Sequence, residues 1–598
     1  MSEPIRIANC SGFYGDRMSA PREMLEDGPI DFLTGDYLAE LTMLILWKDR
    51  QNDPDGGYAR TFLQQMEAVL GLIAEQGVKV VVNAGGLNPA GLALRLAKLA
   101  DGLGLSILIG HVAGDDVLGR LGEWQASGHD LANMETGQSL QEAAVEPVTA
   151  NAYLGAWGIV DALRRGAQIV VCGRVADASL VVGPAAWAHG WDRTDWDQLA
   201  GAVVAGHILE CGAQATGGNY AFFQEVPGLE HPGFPLAEVA ADGSFVVTKH
   251  SGTGGLVSVG TVTAQLLYEV AEPAYVNPDV VARLDTAWLD QVGPDRVRVS
   301  GVLGRPAPPT TKLAINYLGG YRNSMTLVLT GLDIEAKAKA AERALTARLG
   351  GAGSFESFQV RLARTDRPDP TTGEVAGANL TVTVEDRDAG RVGRSFSSAV
   401  TELALASYPG LYATHPPGPA RAYGGHWPSL IPSQLVPQHV VVGGEAREIP
   451  ATPPEGDRAT TTHRAAETTP DSGAGAPTGP TTRVPLGTAF GARSGDKGGN
   501  ANVGVWARSE PGHAWLVDFL TVAELRRLIP EAAELEVRRY ELPNLRALNF
   551  VIVGILGAGV ASSTRSDPQA KSLGEFLRAR LVDLPVALLS DGPKGVPA

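Results

Sequence analysis

The sequence predicts an α/β protein: a largely parallel, doubly wound sheet carrying an α+β subdomain, followed by a flexible linker and a small α+β C-terminal domain. Three observations lead there. From Ile5 to about Gly190 short apolar runs alternate with amphipathic segments, the pattern of repeated βα units whose strands are buried on both faces. After Phe245 this gives way to period-two segments separated by two long helical patterns. From Gly443 to about Thr482 the chain is mostly Pro, Gly, Ala and Thr with almost no large apolar side chain, so it cannot bury enough surface to order itself. The expected boundaries are 4–442 for the large domain (4–243 parallel, 244–442 α+β), 443–483 for the linker and 484–591 for the small domain.

In chain order, the first strands are expected at Ile5 to Cys10, Asp31 to Thr34, Val78 to Asn83, Leu105 to Gly110 and Gln168 to Cys172. Helical periodicity fills Tyr58 to Gln76, Ala90 to Leu103, Val117 to Ser127, Ala150 to Arg165 and 195 to 211. In the α+β part, strands are expected at Val246 to His250, Arg296 to Gly301, Lys312 to Tyr317, Met325 to Leu329, Phe358 to Ala363 and Leu380 to Glu385, with helices at Ile334 to Leu349 and Ser395 to Ser407. The last unit reads as strands Val503 to Ala507, Trp515 to Phe519, Glu536 to Leu542 and Ala547 to Leu556, with helices Val522 to Ile529 and Ala570 to Leu581.

The chemistry is carried by the loops after the strands, because in an open parallel sheet the loops at the carboxyl ends share one edge. Asn83, Gly85 and Gly86 come after the third strand, and Cys172-Gly173-Arg174-Val175-Ala176-Asp177 after the fifth. Neither is a dinucleotide fingerprint, and no P-loop occurs. Helix 195 to 211 ends at Glu210 and Cys211, ahead of Gly217-Gly218-Asn219. Glu210 is a candidate acid or base and Cys211 a candidate nucleophile, though a free cysteine is more often a small buried apolar residue. His250, beside Lys249 in a glycine-rich turn, is a candidate proton carrier. A second such turn is expected at Asn316 to Ser324.

The densest stretch runs from Gly491 to Asn502. Arg493, Ser494, Asp496, Lys497, Gly498, Gly499 and Asn500 combine cations, a carboxylate and glycine backbone in one loop, which suits a phosphate, a carboxylate or an acyl-CoA headgroup. A plain hairpin with solvated Asp496 and Lys497 is the bland alternative.

A chain of 598 residues exceeds one core. Its net charge of −17 argues against a general nucleic-acid surface without excluding a local basic loop. Its three widely spaced cysteines suggest neither a disulfide framework nor a zinc module. With no signal-peptide pattern and no apolar run of about 18 residues, a cytoplasmic protein without membrane or nucleic-acid partners is expected. The sequence requires no cofactor. A small anionic or acyl-CoA ligand is the expected partner, and a homo-oligomer is compatible with the chain.

Asn83 to Pro89, Glu210 to Asn219, Val247 to Gly260, Ile315 to Asn323 and Ala492 to Asn500, in that order, resemble the acyclic terpene utilisation family, AtuA-like, over nearly the whole chain. The resemblance implies a ferredoxin-like small domain and a place in degradation of acyclic terpenoids such as citronellol and geraniol through branched acyl-CoA intermediates. It brings no catalytic residues with it. On this basis the leading expectation is a hydratase- or lyase-type step on a CoA thioester or carboxylate. The cations would be Arg493 and Lys497 or Arg174, and the proton would be moved by Asp177, Glu210, Asp496 or His250. The alternatives are a non-catalytic acyl-CoA-binding or docking protein, and a metal-dependent hydrolase using Asp16, Asp36, His111, Asp115 and Asp116, whose spacing matches no established ligand set.

Overall fold

The structure is a computed structural model describing residues 3–451 and 475–591. Residues up to Asn316 together with those from His426 onward form one compact unit, and Tyr317–Gly425 forms a second.

The first unit is built on an eleven-stranded sheet. Across it the strands run Trp288–Gly293, Arg296–Ser300, Phe245–Lys249, Pro235–Val239, Ile5–Asn9, Phe32–Gly35, Lys79–Val82, Ile169–Cys172, Ile109–Ala113, Gln438–Val442 and Glu445–Ile449. The five from Ile5–Asn9 to Ile109–Ala113 are parallel. All other pairings are antiparallel. The sheet is therefore mixed rather than largely parallel: antiparallel strands Pro235–Val239 and Gln438–Val442 join the parallel centre on its two sides, and short hairpins carry them on to Phe245–Lys249 and Glu445–Ile449.

One face of that centre, including Leu33, Val80, Val82 and Val171, packs on Phe62, Met66, Val69 and Leu70 of helix Arg60–Gln76 and Leu92 and Leu96 of helix Pro89–Gly102. Asn88 caps the second of these helices, its Oδ1 accepting from the Gly91 N–H at 2.9 Å. Helices Trp157–Arg164, Ser179–His189 and Trp196–Leu209 pack on other sheet residues, with Trp187 edge-on to Phe32. Trp196–Leu209 is buried continuously from Leu199, and helices buried all round are apolar all round.

Several expected elements differ. The helix expected over Ala150 to Arg165 divides into strand Pro147–Ala152 and helix Trp157–Arg164, and the fourth expected strand lies at Ile109–Ala113. Lys312 to Tyr317 and Met325 to Leu329 belong to one strand, Thr310–Thr330, so Asn316 to Ser324 is strand and not turn. Within the expected linker, Glu445–Ile449 pairs with Gln438–Val442, and Thr481–Pro485 pairs with Leu581–Pro585. Its stretch 452–474 lies outside the described residues.

The second unit packs the antiparallel strands Ser357–Arg364 and Gly377–Asp386 and the later part of Thr310–Thr330 against helices Ile334–Arg348 and Phe396–Thr401, around Leu327, Leu345, Val382 and Phe396.

The small C-terminal domain has the antiparallel order Gly491–Lys497, Asn500–Trp506, Ala547–Ile552, Val537–Leu542, with helices Glu510–Phe519, Val522–Leu528 and Leu573–Arg578 over a core that includes Val503, Leu516, Leu525 and Phe550. The strand expected at Trp515 to Phe519 is helix. Ser509 caps it, proline sits in its first turn, and the four-residue spacing stacks Trp515 on Phe519 at 4.3 Å, an aromatic repeat that also fits half-buried sheet.

Candidate functional site

The carboxyl ends of the parallel strands gather Asp36, Asn83 and Arg174. Asn83 is fully buried and acts as a clamp: its Nδ2 donates to Asp36 Oδ1 and its Oδ1 accepts from the Tyr37 N–H at 2.7 Å. Arg174 is buried too. Its Nη1 donates to Leu38 O at 2.9 Å and pairs with Asp177 Oδ1 at 3.2 Å, while its Nη2 donates to Tyr153 Oη at 2.7 Å. The N–H groups of Gly85 and Gly86 donate to Cys172 O and Asn83 O, so they hold the turn together and cradle no anion. Gly85 is required by close approach, since a Cβ there would lie 2.5 Å from Cys172 O.

Helix Trp196–Leu209 delivers the second set. Glu210 ends it, one turn after His207, and His207 Nδ1 lies 3.0 Å from Glu210 Oε1. Neither His207 Nε2 nor Glu210 Oε2 has a hydrogen-bond partner among the described residues. The His207 ring sits 5.0 Å from that of Tyr275. In the following turn the N–H groups of Gly217 and Gly218 donate to Gln214 O and Ala213 O, and Asn219 takes a positive φ of 58°.

The small domain brings the third set. The stretch Gly491 to Asn502 is no open loop but a hairpin, Gly491–Lys497 paired with Asn500–Trp506 across a Gly498-Gly499 turn. Strand alternation puts Arg493, Gly495 and Lys497 on one face and Ser494 and Asp496 on the other. Arg493 is buried, donates through Nη2 to Gln214 Oε1 and through Nη1 to Asn219 O at 3.2 Å, and stacks 4.3 Å over Tyr268. Lys497 Nζ lies 5.8 Å above the centre of the Tyr275 ring. Ser494 faces its own domain, bonding Ala570 O and the Gly574 N–H. The Gly499 N–H does bind an anion, the Glu135 carboxylate of the large domain, and Asn500 accepts from the Gly554 N–H.

Burial sets the protonation of this cluster. It pushes Glu210 well above the ordinary carboxylate value, reinforced by the charges of Asp177 and Glu269 and opposed by Lys497 and Arg174. Burial and then Asp177 push Asp36 in the same direction, against Arg174 and Asn83. His207 falls to about 4 through burial and the Lys497 charge, so it is neutral at pH 7. Burial, Glu210 and Glu269 raise the Cys211 thiol well above its usual range, which opposes thiolate formation. Burial followed by Glu210 raises Tyr275, which stays a neutral phenol. The arrangement offers carboxyls of raised pKa near cations, a combination suited to proton transfer onto or from a substrate carrying negative charge.

Residues 5–442 match the family model described as acyclic terpene utilisation family protein AtuA, and residues 484–583 match the AtuA ferredoxin-like domain. The chain belongs to the AtuA family. Membership implies involvement in acyclic terpene utilisation. No curated protein and no solved structure matches the chain.

In this AtuA chain the structure brings together Glu210, Cys211, Asp177, Arg174, Arg493 and Lys497 from three distant stretches. It separates others from them. Asp496 shares the strand face of Ser494, and Asn500, Gly498 and Gly499 sit at the hairpin turn. His250 Nε2 contacts Met24 O at 3.0 Å, and the ring lines a cavity of about 310 Å³ with Glu23, Asp27, Glu230 and His231, none of them in the Glu210 cluster. Burial lowers its pKa.

Among the described residues no group of three or more His, Cys, Asp or Glu is placed to hold a metal ion. The carboxylates of Asp16, Asp115 and Asp116 are engaged by backbone N–H groups of Gly12, Arg17, Arg174 and Leu118. No helix among the described residues is long and apolar enough to cross a membrane.

Sequence reasoning missed His207, Tyr275 and Glu269 and assigned Asp36 a role only as a metal ligand. His207 was within reach, because it stands three residues before Glu210 on the same helical face. Glu269 and Tyr275 lie in an ordinary-looking segment that only the tertiary fold brings to the site.

Proposed function

We propose that this AtuA-family chain is an enzyme of acyclic terpene and branched acyl-CoA catabolism, carrying out a hydratase- or lyase-type step on a CoA thioester or related carboxylate in the cytoplasm. One observation carries this reading. Glu210, a carboxyl whose pKa burial raises well above the ordinary value, keeps Oε2 unpartnered while Oε1 meets His207 Nδ1 at 3.0 Å, and the charge of Lys497, whose Nζ has no hydrogen bond or ion pair among the described residues, acts on both Glu210 and His207.

Hydration, dehydration and carbon–carbon cleavage next to a carbonyl all pass through an enolate-like state, which needs a proton donor or acceptor and fixed positive charge for the developing oxyanion. In this scheme Glu210 gives or takes the proton at Oε2. Its conjugate carboxylate is favoured by Lys497 and Arg174, the two cations that already oppose its raised pKa. His207 orients the Glu210 carboxyl through Nδ1. Asp177 pairs through Oδ1 with Arg174 Nη1 at 3.2 Å and keeps the guanidinium in place.

The test is incubation of purified protein with a panel of branched acyl-CoAs and their hydrated and carboxylated forms, with products followed by mass spectrometry. Turnover that falls by about 10² or more in Glu210→Gln supports the reading. Unchanged turnover in Glu210→Gln combined with Asp177→Ala would overturn it. Calorimetric binding of acyl-CoA with no product from any substrate would favour the non-catalytic alternative.

A further inference from the structure

Residues 267–273 connect helix Val259–Leu266 to strand Ala274–Val276, and the small domain grips 267–271 with two buried amides. Asn502 is fully buried. Its Nδ2 donates to Leu267 O at 2.6 Å and its Oδ1 accepts from the Glu269 N–H at 2.9 Å, so one side chain brackets the backbone on either side of Tyr268. Asn502 Nδ2 also donates to Asn549 Oδ1 at 3.0 Å, and Asn549 Nδ2 donates to Val270 O and Ala271 O, both at 2.8 Å. Between these contacts Glu269 takes a φ of 55°, a left-handed conformation that a glutamate adopts only when its surroundings impose it.

The approach is close enough to dictate residue type on the facing strands. A Cβ on Gly504 would lie 2.5 Å from Leu267 Cβ, and one on Gly495 would lie 2.7 Å from Glu269 Cγ. Gly495 shares its strand face with Arg493 and Lys497, so the Glu269 side chain lies directly against the small-domain surface that supplies the cations.

We infer that Asn502 is a positioning residue: by bracketing Tyr268 it holds Glu269 in left-handed backbone and keeps the Glu269 carboxylate in the Glu210 site, so that the small domain sets the geometry of the site as well as its charge. This rests on the acid–base reading of Glu210. A docking contact alone would need only to fill space and satisfy amides, whereas this one fixes a strained residue whose charge acts on Glu210, Cys211 and Tyr275.

Cys211 is a built-in reporter that needs no substrate. It is half-buried, while Cys10 and Cys172 are buried. The groups acting on it are Glu210 on its own segment, Glu269, Asp36 and Gln265, and its own charge is felt by Tyr275 and Arg493. The experiment is the pH dependence of iodoacetamide labelling of Cys211 in the native full-length protein, resolved by peptide mass spectrometry. The variants are Glu269→Gln, Asn502→Ala and the milder Asn502→Ser, singly and combined.

Removing the Glu269 charge lowers the thiol pKa and raises labelling on the order of tenfold at pH below that pKa. Asn502→Ala and Asn502→Ser are expected to move the rate in the same direction in the wild-type background and to add less than twofold on top of Glu269→Gln. An equal effect of the Asn502 variants in both backgrounds would mean general loosening and would overturn the inference, as would an unaltered rate in Glu269→Gln. Labelling of Cys10 or Cys172 marks an unfolded variant, in which case Asn502→Ser and Glu269→Gln decide. Absence of turnover on every acyl-CoA sinks the catalytic reading without touching the thiol result.

Discussion

Glu210→Gln separates a carboxyl kept neutral by burial from a carboxylate held by ion pairing, and it does so through stability. The Glu210 side chain is 11% exposed, and its pKa stands well above the 4.5 of an unperturbed glutamate. A carboxyl with a raised folded pKa binds its proton more tightly in the native state than in the unfolded state. Between the two pKa values the unfolded chain therefore carries fewer protons, and stability falls as pH rises. One proton's difference between the two states limits the slope to about 1.36 kcal/mol per pH unit above 4.5, where the unfolded chain ionises.

Glutamine keeps the shape and an acceptor for His207 Nδ1 but has no proton to lose, so that loss of stability disappears. The expected result is a Glu210→Gln variant more stable than wild type at pH 7, with the difference shrinking towards zero as pH falls to 4.5, by no more than about 1.4 kcal/mol per pH unit. The assay is urea denaturation of both proteins across pH 4.5–7.5, taking the difference so that His207 and other titrating groups largely cancel. A variant destabilised at pH 7, with the loss vanishing in acid, would mean that Glu210 is an ionised partner of Lys497 and would refute the reasoning.

The same geometry sets other outcomes. His207 has its pKa lowered to about 4 from 6.5, so the unfolded state binds its proton first and stability is lost as pH falls through that window. His207→Asn is expected to remove about 3 kcal/mol of that acid-side slope, measured by the same denaturation series. A Cβ on Gly504 meets Leu267, so Gly504→Ala should cost about 1–3 kcal/mol in thermal unfolding. The open Gly71 of helix Arg60–Gln76 makes a control: Gly71→Ala should be neutral or stabilising by up to about 1 kcal/mol. Ser494→Ala strands the Ala570 carbonyl and the Gly574 N–H at a cost of about 1–3 kcal/mol, whereas the exposed Lys497→Ala should leave the unfolding midpoint within about 0.5 kcal/mol of wild type while abolishing turnover.

The contrast between Ser494 and Lys497 shows how sequence and fold share the information. Both stand in the polar stretch Gly491 to Asn502, and composition alone made both of them candidate ligand contacts. Only the alternation of an actual strand sends Ser494 and Asp496 to one side and Arg493 and Lys497 to the other. Composition marked the neighbourhood, and the ladder assigned the roles. Gly85, Gly86, Gly217 and Gly218 teach a similar lesson: glycine can expose backbone N–H groups to an anion, but here those groups are taken by backbone carbonyls, that of Cys172 for Gly85 and those of their own turns for the other three.

The features that the sequence determined by itself are those that local physics dictates. The βα alternation up to Gly190, the amphipathic helices Arg60–Gln76 and Pro89–Gly102 and the small second domain all arise from periodicity and turn chemistry within a few residues. The same tests passed over Ser179–His189, which is apolar on every side and has no face to detect. They also placed a strand at Trp515 to Phe519, where two aromatics four residues apart serve a helix. The tertiary structure alone decided that Glu210, Asp177, Lys497 and Glu269 meet. Their encounter depends on strand order, on the bracketing of Tyr268 by Asn502, and on glycines at 495 and 504 that let two domains close to backbone distance. The small-domain contacts span more than two hundred residues, and no local pattern encodes them.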